Sequence, residues 1–362
     1  MRGGYMFRKI IAIAITLTVS MFSCADKNEL PDMIISAGVS SRFVIRSDGT
    51  LWAWGWNYFG QLGDGTTEQR YKPVKIMDDV IAVSGGESHT AAIKSDGSLW
   101  AWGRNDARLG DGTTEDRLSP VIIMDDVIAV SVGHDHTLSI RSDGSLWAWG
   151  WNHFGQLGDG TTEDRLNPVK MMDDVIAVSA GGWYTLAIKS DGSLWAWGGN
   201  NFGQLSDGTR ESKHRPVKIM SDVIVVSAGT HHAAAIKSDG SLWEWGSTLF
   251  GDGISEERRT PVKIMEDVVY VSADSHTMAI KNDGSLWTWG WNSGGELGDG
   301  TTDHKYTPVK IMDDITNISV GWAHAMATKK DGSLWVWGKG ILNRLSDGTT
   351  EDRLSPVEIK LE

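Results

Sequence analysis

Hydrophobic residues recur along this chain in short alternating runs, and polar residues and glycines separate the runs. One run, Leu-Trp-x-Trp-Gly, occurs seven times, always shortly after an Asp-Gly pair. The aspartates of these pairs are 48, 47, 48, 48, 44 and 48 residues apart. A constant period of this size is typical of a repeat protein, whose units must stack because none can bury its own apolar surface. The aspartates are Asp48, Asp96, Asp143, Asp191, Asp239, Asp283 and Asp331.

Each repeat contains four segments that read as β-strands. In the copy around Asp191 they are residues 174–181, 185–189, 193–198 and 216–220, which are rich in Val, Ile and Trp and alternate in polarity. Asp-Gly between the second and third segments favours a tight hairpin turn. The repeat is therefore a four-stranded antiparallel sheet. Seven such sheets in a radial array predict an all-β fold, a seven-bladed β-propeller, with each blade formed by one contiguous repeat.

The paired tryptophans of the repeat are predicted to hold the blades together. Alternation along a strand places Trp52 and Trp54 on one face of the sheet and Ala53 on the other. Stacked sheets would then set large groups against small ones, and each buried indole removes about 150 to 250 Å² from water. Fourteen of the nineteen tryptophans belong to such pairs. We therefore assign them to packing rather than to a ligand site.

The N-terminus has the layout of an export signal. Arg8 and Lys9 precede an apolar run over residues 10–19 that is too short to span a bilayer. Cys24, the only cysteine, follows at the position of the lipidated cysteine in the lipobox of bacterial lipoproteins, which this segment resembles. The alternative is an ordinary cleaved signal. The predicted organisation is a signal peptide over residues 1–23, a lipidated Cys24 and tether over 24–32, and seven repeats over 33–362.

A lipid on Cys24 would attach the protein to a membrane of the bacterial cell envelope, on either its periplasmic or its surface side. A single cysteine excludes internal disulfides and a cysteine-rich zinc site. The formal net charge of −13 disfavours nucleic acid as a partner, because an acidic body repels the phosphate backbone. The sequence leaves the oligomeric state open.

A longer motif identifies a family resemblance. Residues 54–63 read Trp-Gly-x-Asn-x-x-Gly-Gln-Leu-Gly, a Pro-Val pair follows, and Gly-x-x-His-Thr precedes several of the Asp-Gly pairs. This pattern resembles the repeat of the regulator of chromosome condensation family, and the resemblance implies an RCC1-like seven-bladed propeller. The founding member is a nucleotide exchange factor for a small nuclear GTPase and acts through a wedge on one blade. No blade carries an insertion here, so exchange activity, directed at a host GTPase, is kept as an alternative function.

Two sets of polar residues invite a metal hypothesis. One histidine per blade would lie on a wide circle rather than around one ion, so hydrogen bonding between blades is the favoured interpretation. The aspartates of the Gly-Asp-Gly-Thr-Thr loops lack the alternating acidic ligands of a calcium loop, and we assign them to turns. No metal or cofactor is predicted. The residues are His89, His136, His232, His276 and His324 in the first set, and Asp64, Asp111, Asp159, Asp299 and Asp347 in the second.

The candidate binding residues are those that differ between copies. Two residues between the repeat glycine and the histidine position vary most, and they follow the innermost strand, so all seven pairs are expected at one mouth of the central channel. In the sixth copy Ala273 is taken as the repeat glycine. Aromatic and charged groups together suit a protein or glycan ligand, whereas neutral variation of exposed loops is the alternative. The predicted binding face contains Glu87, His134, Asp135, Trp183, His231, Asp274 and Trp322.

The fifth copy departs from the pattern. It lacks the Gly-Gln-Leu-Gly stretch and has Glu244 where four copies have alanine. A tolerated loop deletion is the favoured interpretation, and a ligand groove is the alternative. No phosphate loop, nucleophile elbow or metalloprotease motif is present. The sequence therefore predicts an envelope-anchored, non-catalytic scaffold for a protein or glycan, with an exchange factor and an enzyme at the channel mouth as alternatives.

Overall fold

The chain folds into seven four-stranded antiparallel sheets. Within each sheet, strands that are consecutive in the sequence are hydrogen-bonded neighbours. The computed structural model describes residues 33–247, 251–254, 256–340 and 350–360. The predicted seven-bladed propeller, with one contiguous repeat per blade, is confirmed. The signal peptide, the tether and Cys24 lie outside the described residues and stay predictions. No helix long and apolar enough to cross a membrane occurs in the described ranges.

The first four blades follow one another at the repeat period. Blade 1 contains β1 (Met33–Ala37), β2 (Ser41–Arg46), β3 (Leu51–Gly55) and β4 (Arg70–Met77). Blade 2 contains β5 (Val80–Gly85), β6 (His89–Lys94), β7 (Leu99–Gly103) and β8 (Arg117–Met124). Blade 3 contains β9 (Val127–Val132), β10 (His136–Arg141), β11 (Leu146–Gly150) and β12 (Arg165–Met172). Blade 4 contains β13 (Val175–Ala180), β14 (Tyr184–Lys189), β15 (Leu194–Gly198) and β16 (Lys213–Met220).

The last three blades complete the ring. Blade 5 contains β17 (Val223–Ala228), β18 (His232–Lys237), β19 (Leu242–Gly246) and β20 (Arg258–Met265). Blade 6 contains β21 (Val268–Ala273), β22 (His276–Lys281), β23 (Leu286–Gly290) and β24 (Lys305–Met312). Blade 7 contains β25 (Ile315–Gly321), β26 (His324–Lys329), β27 (Leu334–Gly338) and β28 (Arg353–Ile359).

A ring of serines joins the innermost strands around the channel. The Oγ atom of Ser36 in blade 1 accepts a hydrogen bond from the backbone N–H of Gly85 in blade 2 (3.2 Å). The same bond recurs between every pair of neighbouring blades, and Ser319 closes the ring by accepting from Ala37 (2.8 Å). The hydroxyls therefore satisfy backbone donors that face the channel. The seven serines are Ser36, Ser84, Ser131, Ser179, Ser227, Ser272 and Ser319.

The second tryptophan of each pair fills the space between two blades. Trp102 of blade 2 packs among apolar residues of blade 1, such as Phe43. Its indole N–H donates to the backbone carbonyl of Gln61 (2.9 Å). Trp54 packs against Leu334 of blade 7 in the same way. All seven of these tryptophans are buried, so the predicted packing role holds for them.

The first tryptophan of each pair is only half-buried and lies beside the hairpin turn. The Trp52 indole N–H donates to Thr50 Oγ1 (2.9 Å), and the Arg46 guanidinium lies 4.3 Å from the ring centroid. Equivalent indole contacts to a serine recur in the other blades. These seven tryptophans therefore stabilise the turn, and five of them also pack against the apolar clusters between neighbouring blades.

The two faces of the ring carry different connections. On one face, here the upper face, the turn after each innermost strand meets the loop between the third and fourth strands, as where the Trp56 N–H donates to the Ser40 carbonyl (3.0 Å). On the lower face the Asp-Gly hairpins meet the connections between blades, as where the Val80 N–H donates to the Gly49 carbonyl (2.9 Å). The variable residues of the repeat thus lie on the upper face.

Candidate functional site

The mouth of the central channel on the upper face is lined by residues from five of the seven variable pairs. Its cavity of about 110 Å³ is bordered by one residue of each of these pairs and by glycines at the ends of the innermost strands. Neither Glu87 nor Trp322 borders it. The expectation that all seven pairs surround one mouth was therefore wrong for blades 2 and 7. The bordering pair residues are Val39, His134, Gly182, Thr230 and Asp274.

Close approach of neighbouring backbones keeps this mouth narrow. A Cβ atom on Gly133 would lie 2.5 Å from the Gly181 carbonyl oxygen of the next blade, so only glycine fits there. In blade 6 Asp274 stands where the other blades have this glycine, since a Cβ atom on Gly229 would lie 2.7 Å from the Asp274 carbonyl oxygen. Ala273 instead ends β21 as Ala180 ends β13. The assignment of Ala273 to the glycine position was wrong, because the sixth turn is one residue shorter.

Hydrogen bonds connect the Asp274 carboxylate across the mouth, through Thr230, to His134 of blade 3. Thr230 donates to Asp274 Oδ1 from both its hydroxyl (2.6 Å) and its backbone N–H (3.2 Å). The Thr230 hydroxyl oxygen also lies 3.3 Å from His134 Nε2. Three residues of the variable pairs are thus joined in one polar chain over the channel.

Trp183 is the centre of an aromatic cluster beside the mouth. Its ring centroid lies 5.7 Å from that of His134, 5.9 Å from that of Phe154 and 6.1 Å from that of His231. Phe202 extends the cluster, with its centroid 4.5 Å from that of His231. The structure therefore brings His134, Trp183 and His231, on blades 3, 4 and 5, into one surface. Burial lowers the pKa of His231 below its ordinary value.

Asp135 is buried next to this cluster, and both oxygens of its carboxylate already accept hydrogen bonds from the protein. Only 8% of the residue is exposed. Its Oδ1 accepts from Nη2 (2.6 Å) and Nε (3.0 Å) of the buried Arg108, and its Oδ2 accepts from the Trp183 indole N–H (3.3 Å). Arg108 also lies 4.6 Å from the centroid of Trp151. The sequence contained a signal for this contact, since Arg108 replaces the glutamine that copies 1, 3 and 4 have.

The two remaining predicted residues lie apart from the cluster. Glu87 is exposed on the turn of blade 2. Trp322, of which 49% is exposed, lines a separate cleft with Trp291 and Lys339 of blades 6 and 7. The single predicted face therefore consists of a cluster around Trp183, the mouth residue Asp274, an isolated Glu87 and a second cleft.

Three of the five repeated histidines, His89, His136 and His232, make hydrogen bonds to a threonine of the next blade, whereas Nε2 of His276 has no hydrogen-bond partner among the described residues. The Nε2 atom of His89 lies 2.9 Å from Thr137 Oγ1 of the next blade, and His136 and His232 make the same contact with Thr185 and Thr277 at 3.0 Å. Burial lowers the pKa of His136 and of His232 to about 4, so both imidazoles are neutral near pH 7. Within the described residues, no three His, Cys, Asp or Glu side chains are grouped so that they could hold a metal ion.

Tyr184 takes the histidine position in blade 4, and the next blade differs as well. Blade 5 has Ala233 where four other blades have threonine, so an imidazole would find no hydroxyl there. The longer Tyr184 side chain donates its hydroxyl to the His232 carbonyl instead (2.7 Å). Burial raises the pKa of Tyr184 well above its ordinary value, so it acts as a neutral donor.

The Gly-Asp-Gly-Thr loops are closed by their own residues. Asp111 Oδ1 accepts from Asn105 Nδ2 (2.9 Å) and Thr113 Oγ1 (2.8 Å), and Oδ2 accepts from Arg117 Nε (2.7 Å). Burial alone would raise the pKa of Asp111, but these hydrogen bonds together lower it. The contacts support the turn interpretation, because they occupy the oxygens that a calcium ion would need. Asp347 lies outside the described residues.

In blade 5 the Glu244 side chain accepts hydrogen bonds that a loop carbonyl accepts in other blades. In blades 1 and 3 one loop carbonyl accepts both the tryptophan and the threonine of the next blade, as Gln156 does for Trp197 (2.9 Å) and Thr185 (2.7 Å). In blade 5 the Glu244 carboxylate accepts from the Trp289 indole N–H (2.9 Å) and the Thr277 hydroxyl (2.7 Å). Burial raises the pKa of Glu244 to about 7. The tolerated-deletion interpretation is supported, since the carboxylate is buried and accepts hydrogen bonds from the next blade rather than lining a groove.

Comparison with known proteins agrees with this architecture. Residues 124–362 match the family described as the RCC1-like domain, and residues 48–93 and 96–140 match the regulator of chromosome condensation (RCC1) repeat. No protein of curated function matches the sequence.

Solved structures show the same fold at low sequence identity. Human WBSCR16 is 20% identical, with a TM-score of 0.76 over 86% of this chain and 94% of that protein. Prp20p from Saccharomyces cerevisiae, whose structure was described together with its binding to Gsp1p and histones, is 18% identical, with a TM-score of 0.79 over 97% and 89%. The CRINKLY WD40 ectodomain of the Arabidopsis thaliana receptor kinase ACR4 is 17% identical, with a TM-score of 0.54 over 92% and 99%. Because the family match covers most of the repeats and the blades have the expected topology, the chain belongs to the RCC1-like domain family.

Proposed function

We propose that this propeller is a non-catalytic binding scaffold and that the cluster around Trp183 takes a protein ligand. The observation that carries the proposal is the meeting of Trp183, His134 and His231 from three blades on one open surface. Aromatic side chains over a buried arginine are typical of the central part of protein interfaces. All three side chains are partly exposed, so a ligand can contact them from the solvent side.

The Asp135–Arg108 pair prepares this surface for binding. The carboxylate holds the Trp183 indole N–H, and the Arg108 guanidinium holds the carboxylate. A side chain fixed in this way loses little rotational freedom when a ligand arrives. Asp135 is therefore unsuitable for testing recognition, because its loss would leave the buried Arg108 with only its ion pair to Asp106 (3.1 Å).

The test compares three forms of the full chain as baits. Wild type, the double variant Trp183→Ala and His231→Ala, and the control Trp291→Ala would be immobilised and exposed to extract of the producing organism. We expect one protein to be retained by wild type and Trp291→Ala and lost with the double variant, while all three melt at similar temperatures. Equal retention by all three would disprove a Trp183 site. A retained polysaccharide in place of a protein would favour the glycan form of the prediction.

A nucleotide exchange factor is the second candidate function. The fold similarity to Prp20p, a protein that binds Gsp1p, is the observation that favours it. The loops between the third and fourth strands span 11 to 14 residues in every blade, so none is long enough for a large projecting wedge. Faster release of a fluorescent guanine nucleotide from a small GTPase, lost in the Trp183 and His231 double variant, would establish exchange. An enzyme at the channel mouth would instead require turnover that responds to changes at Asp274.

We propose further that the chain is exported and anchored to the bacterial cell envelope by a lipid on Cys24. The apolar leader and the position of the cysteine directly after it support this proposal. Metabolic labelling with a fatty-acid probe should tag wild type and leave Cys24→Ser untagged. An untagged wild-type protein released in soluble form would favour the ordinary cleaved signal.

A further inference from the structure

The upper face has a second concave site, the cleft between Trp291 and Trp322. It is bordered by two exposed indoles, two serines and the stem of Lys339, and it encloses about 280 Å³. Trp291 is 44% exposed and Trp322 is 49% exposed. A volume near the lower end of the roughly 300 to 1,000 Å³ of ligand pockets fits one or two small rings. Neither tryptophan belongs to the Leu-Trp-x-Trp-Gly pairs that pack the blades.

The cleft exists because blade 6 lacks an aromatic side chain that other blades have. Copies 1, 3 and 4 carry Phe59, Phe154 and Phe202 at the position where copy 6 has Gly294. In blade 1 Phe59 covers the equivalent tryptophan, Trp56, with ring centroids 5.9 Å apart. At Gly294 a Cβ atom would collide with Lys339 Cγ, so the lysine stem occupies part of the vacated space. The remainder of that space is the cleft.

Trp291 is held in place before any ligand arrives. Its ring stacks on His304 with centroids 4.4 Å apart, and its indole N–H donates to Ser293 Oγ (2.8 Å). His304 is fixed in turn, because its Nδ1 accepts from the Asn292 N–H (2.9 Å). The equivalent Trp151 of blade 3 is covered by the Arg108 guanidinium. Trp291 instead keeps a wide exposed surface on a rigid base.

A residue with a buried carboxylate, Glu296, lines the same cleft. Glu296 replaces the glutamine that copies 1, 3 and 4 have, and it borders the cleft although its side chain is buried. Its Oε2 accepts from the Gly294 N–H (2.7 Å), whereas its Oε1 has no hydrogen-bond partner among the described residues. A buried oxygen acceptor without a partner is costly, and a ligand hydroxyl would satisfy it.

The charges at the cleft select among ligand classes. Lys339 Nζ lies 6.0 Å from the centroid of the Trp322 ring, so a cationic ligand would meet a positive charge on its aromatic platform. An anionic ligand would meet the Glu296 carboxyl. A neutral sugar ring avoids both conflicts, because its C–H face can lie on the negative face of an indole while its hydroxyls donate to Glu296 and accept from Lys339.

We infer that the cleft between Trp291 and Trp322 binds a neutral pyranose unit of an oligosaccharide. The indoles hold the apolar face of the sugar, and Glu296 Oε1 accepts one of its hydroxyls. Different residues carry this site and the proposed protein site around Trp183, so either can fail without the other.

Calorimetric titration of the full chain with maltotetraose, cellotetraose and chitotetraose tests the site. We expect saturable binding of at least one of them below about 10 mM. Trp322→Ala should weaken it by about tenfold or more, because one aromatic platform is lost. No binding of any of the three sugars would overturn the inference.

Two substitutions taken from the protein's own repeats sharpen the test. Gly294→Phe restores the side chain of copies 1, 3 and 4 and should block binding while the melting temperature stays near that of wild type, because the flexible lysine stem can move aside. Glu296→Gln keeps the acceptor for the Gly294 N–H and should weaken binding several-fold. Trp183→Ala is the control and should bind the sugar as wild type does. Unchanged binding in Gly294→Phe, or displacement of the sugar by tetramethylammonium, would overturn the inference.

Discussion

The carboxylate of Glu244 in blade 5 accepts a hydrogen bond from the indole N–H of Trp289 in blade 6 (2.9 Å). In other blades a backbone carbonyl of the long loop accepts the equivalent bond, as Gln156 does from Trp197. The loop deletion in copy 5 and the replacement of alanine by Glu244 are thus two parts of one structural change. The Glu244 side chain thus takes the acceptor role that a loop carbonyl has in other blades.

Truncating Glu244 should therefore destabilise the ring strongly. Glu244→Ala leaves the Trp289 and Thr277 donors buried without an acceptor, at about 1 to 3 kcal/mol for each, so a loss of about 2 to 6 kcal/mol in the free energy of unfolding is expected. Urea denaturation would measure it, with the exposed Glu256→Ala as a control that changes stability little. An equal effect of the two substitutions would contradict the role assigned to Glu244.

Protonation of Glu244 should make stability depend on pH in a defined window. Burial raises its pKa from 4.5 to about 7, so the folded state binds more protons than the unfolded state between these values. The contribution of Glu244 to the free energy of unfolding is fully present below about pH 4.5 and is lost as the pH rises to about 7. The pKa of His136 is shifted in the opposite direction, from 6.5 to about 4. Its contribution to the free energy of unfolding therefore falls as the pH drops below 6.5, because the unfolded state then binds the proton more tightly.

Glu244→Gln isolates the glutamate contribution to that pH dependence. The amide does not titrate, so the difference in unfolding free energy between wild type and Glu244→Gln should change by about 3 kcal/mol between pH 4.5 and pH 8. Thermal or urea unfolding at several pH values measures this difference. A difference that is constant with pH would show that Glu244 keeps an ordinary pKa.

The pair Tyr184 and Ala233 should behave as a coupled unit. Tyr184→His removes the hydroxyl that reaches the His232 carbonyl and leaves an imidazole facing Ala233, so it should destabilise by about 1 to 3 kcal/mol. Adding Ala233→Thr recreates the His136–Thr185 arrangement and should recover part of that loss. A double-mutant cycle by urea denaturation measures the coupling. Additive effects would argue against a direct contact.

The two tryptophans of one pair should differ in their effect on stability. Trp197 is buried between blades, so Trp197→Ala should destabilise by about 3 to 5 kcal/mol. Trp195 is half-buried and bonds Ser193 at the turn, so Trp195→Ala should cost distinctly less. Denaturation midpoints of the two variants provide the comparison. A larger effect at Trp195 would reverse the roles assigned to them.

The sequence by itself determined the architecture. The spacing of the Asp-Gly pairs and the alternation in Leu-Trp-x-Trp-Gly establish seven four-stranded blades, because strand period and turn chemistry are local properties. The same repetition predicts that each blade packs against the next one in the sequence, because no repeat can bury its own apolar surface. The recurrence of histidine at one position of the repeat correctly predicted hydrogen bonds between blades for His89, His136 and His232, but not for His276, whose Nε2 has no partner among the described residues.

Only the tertiary structure decided which variable residues meet. Trp183 and His231 are neighbours because two blades converge near the channel, whereas Trp322 lies across a different blade boundary with Trp291. The pairing of Arg108 with Asp135 and the displacement of Asp274 into a glycine position arise from contacts between copies. Such contacts depend on distances across the ring, and a repeat pattern read along one chain does not contain those distances.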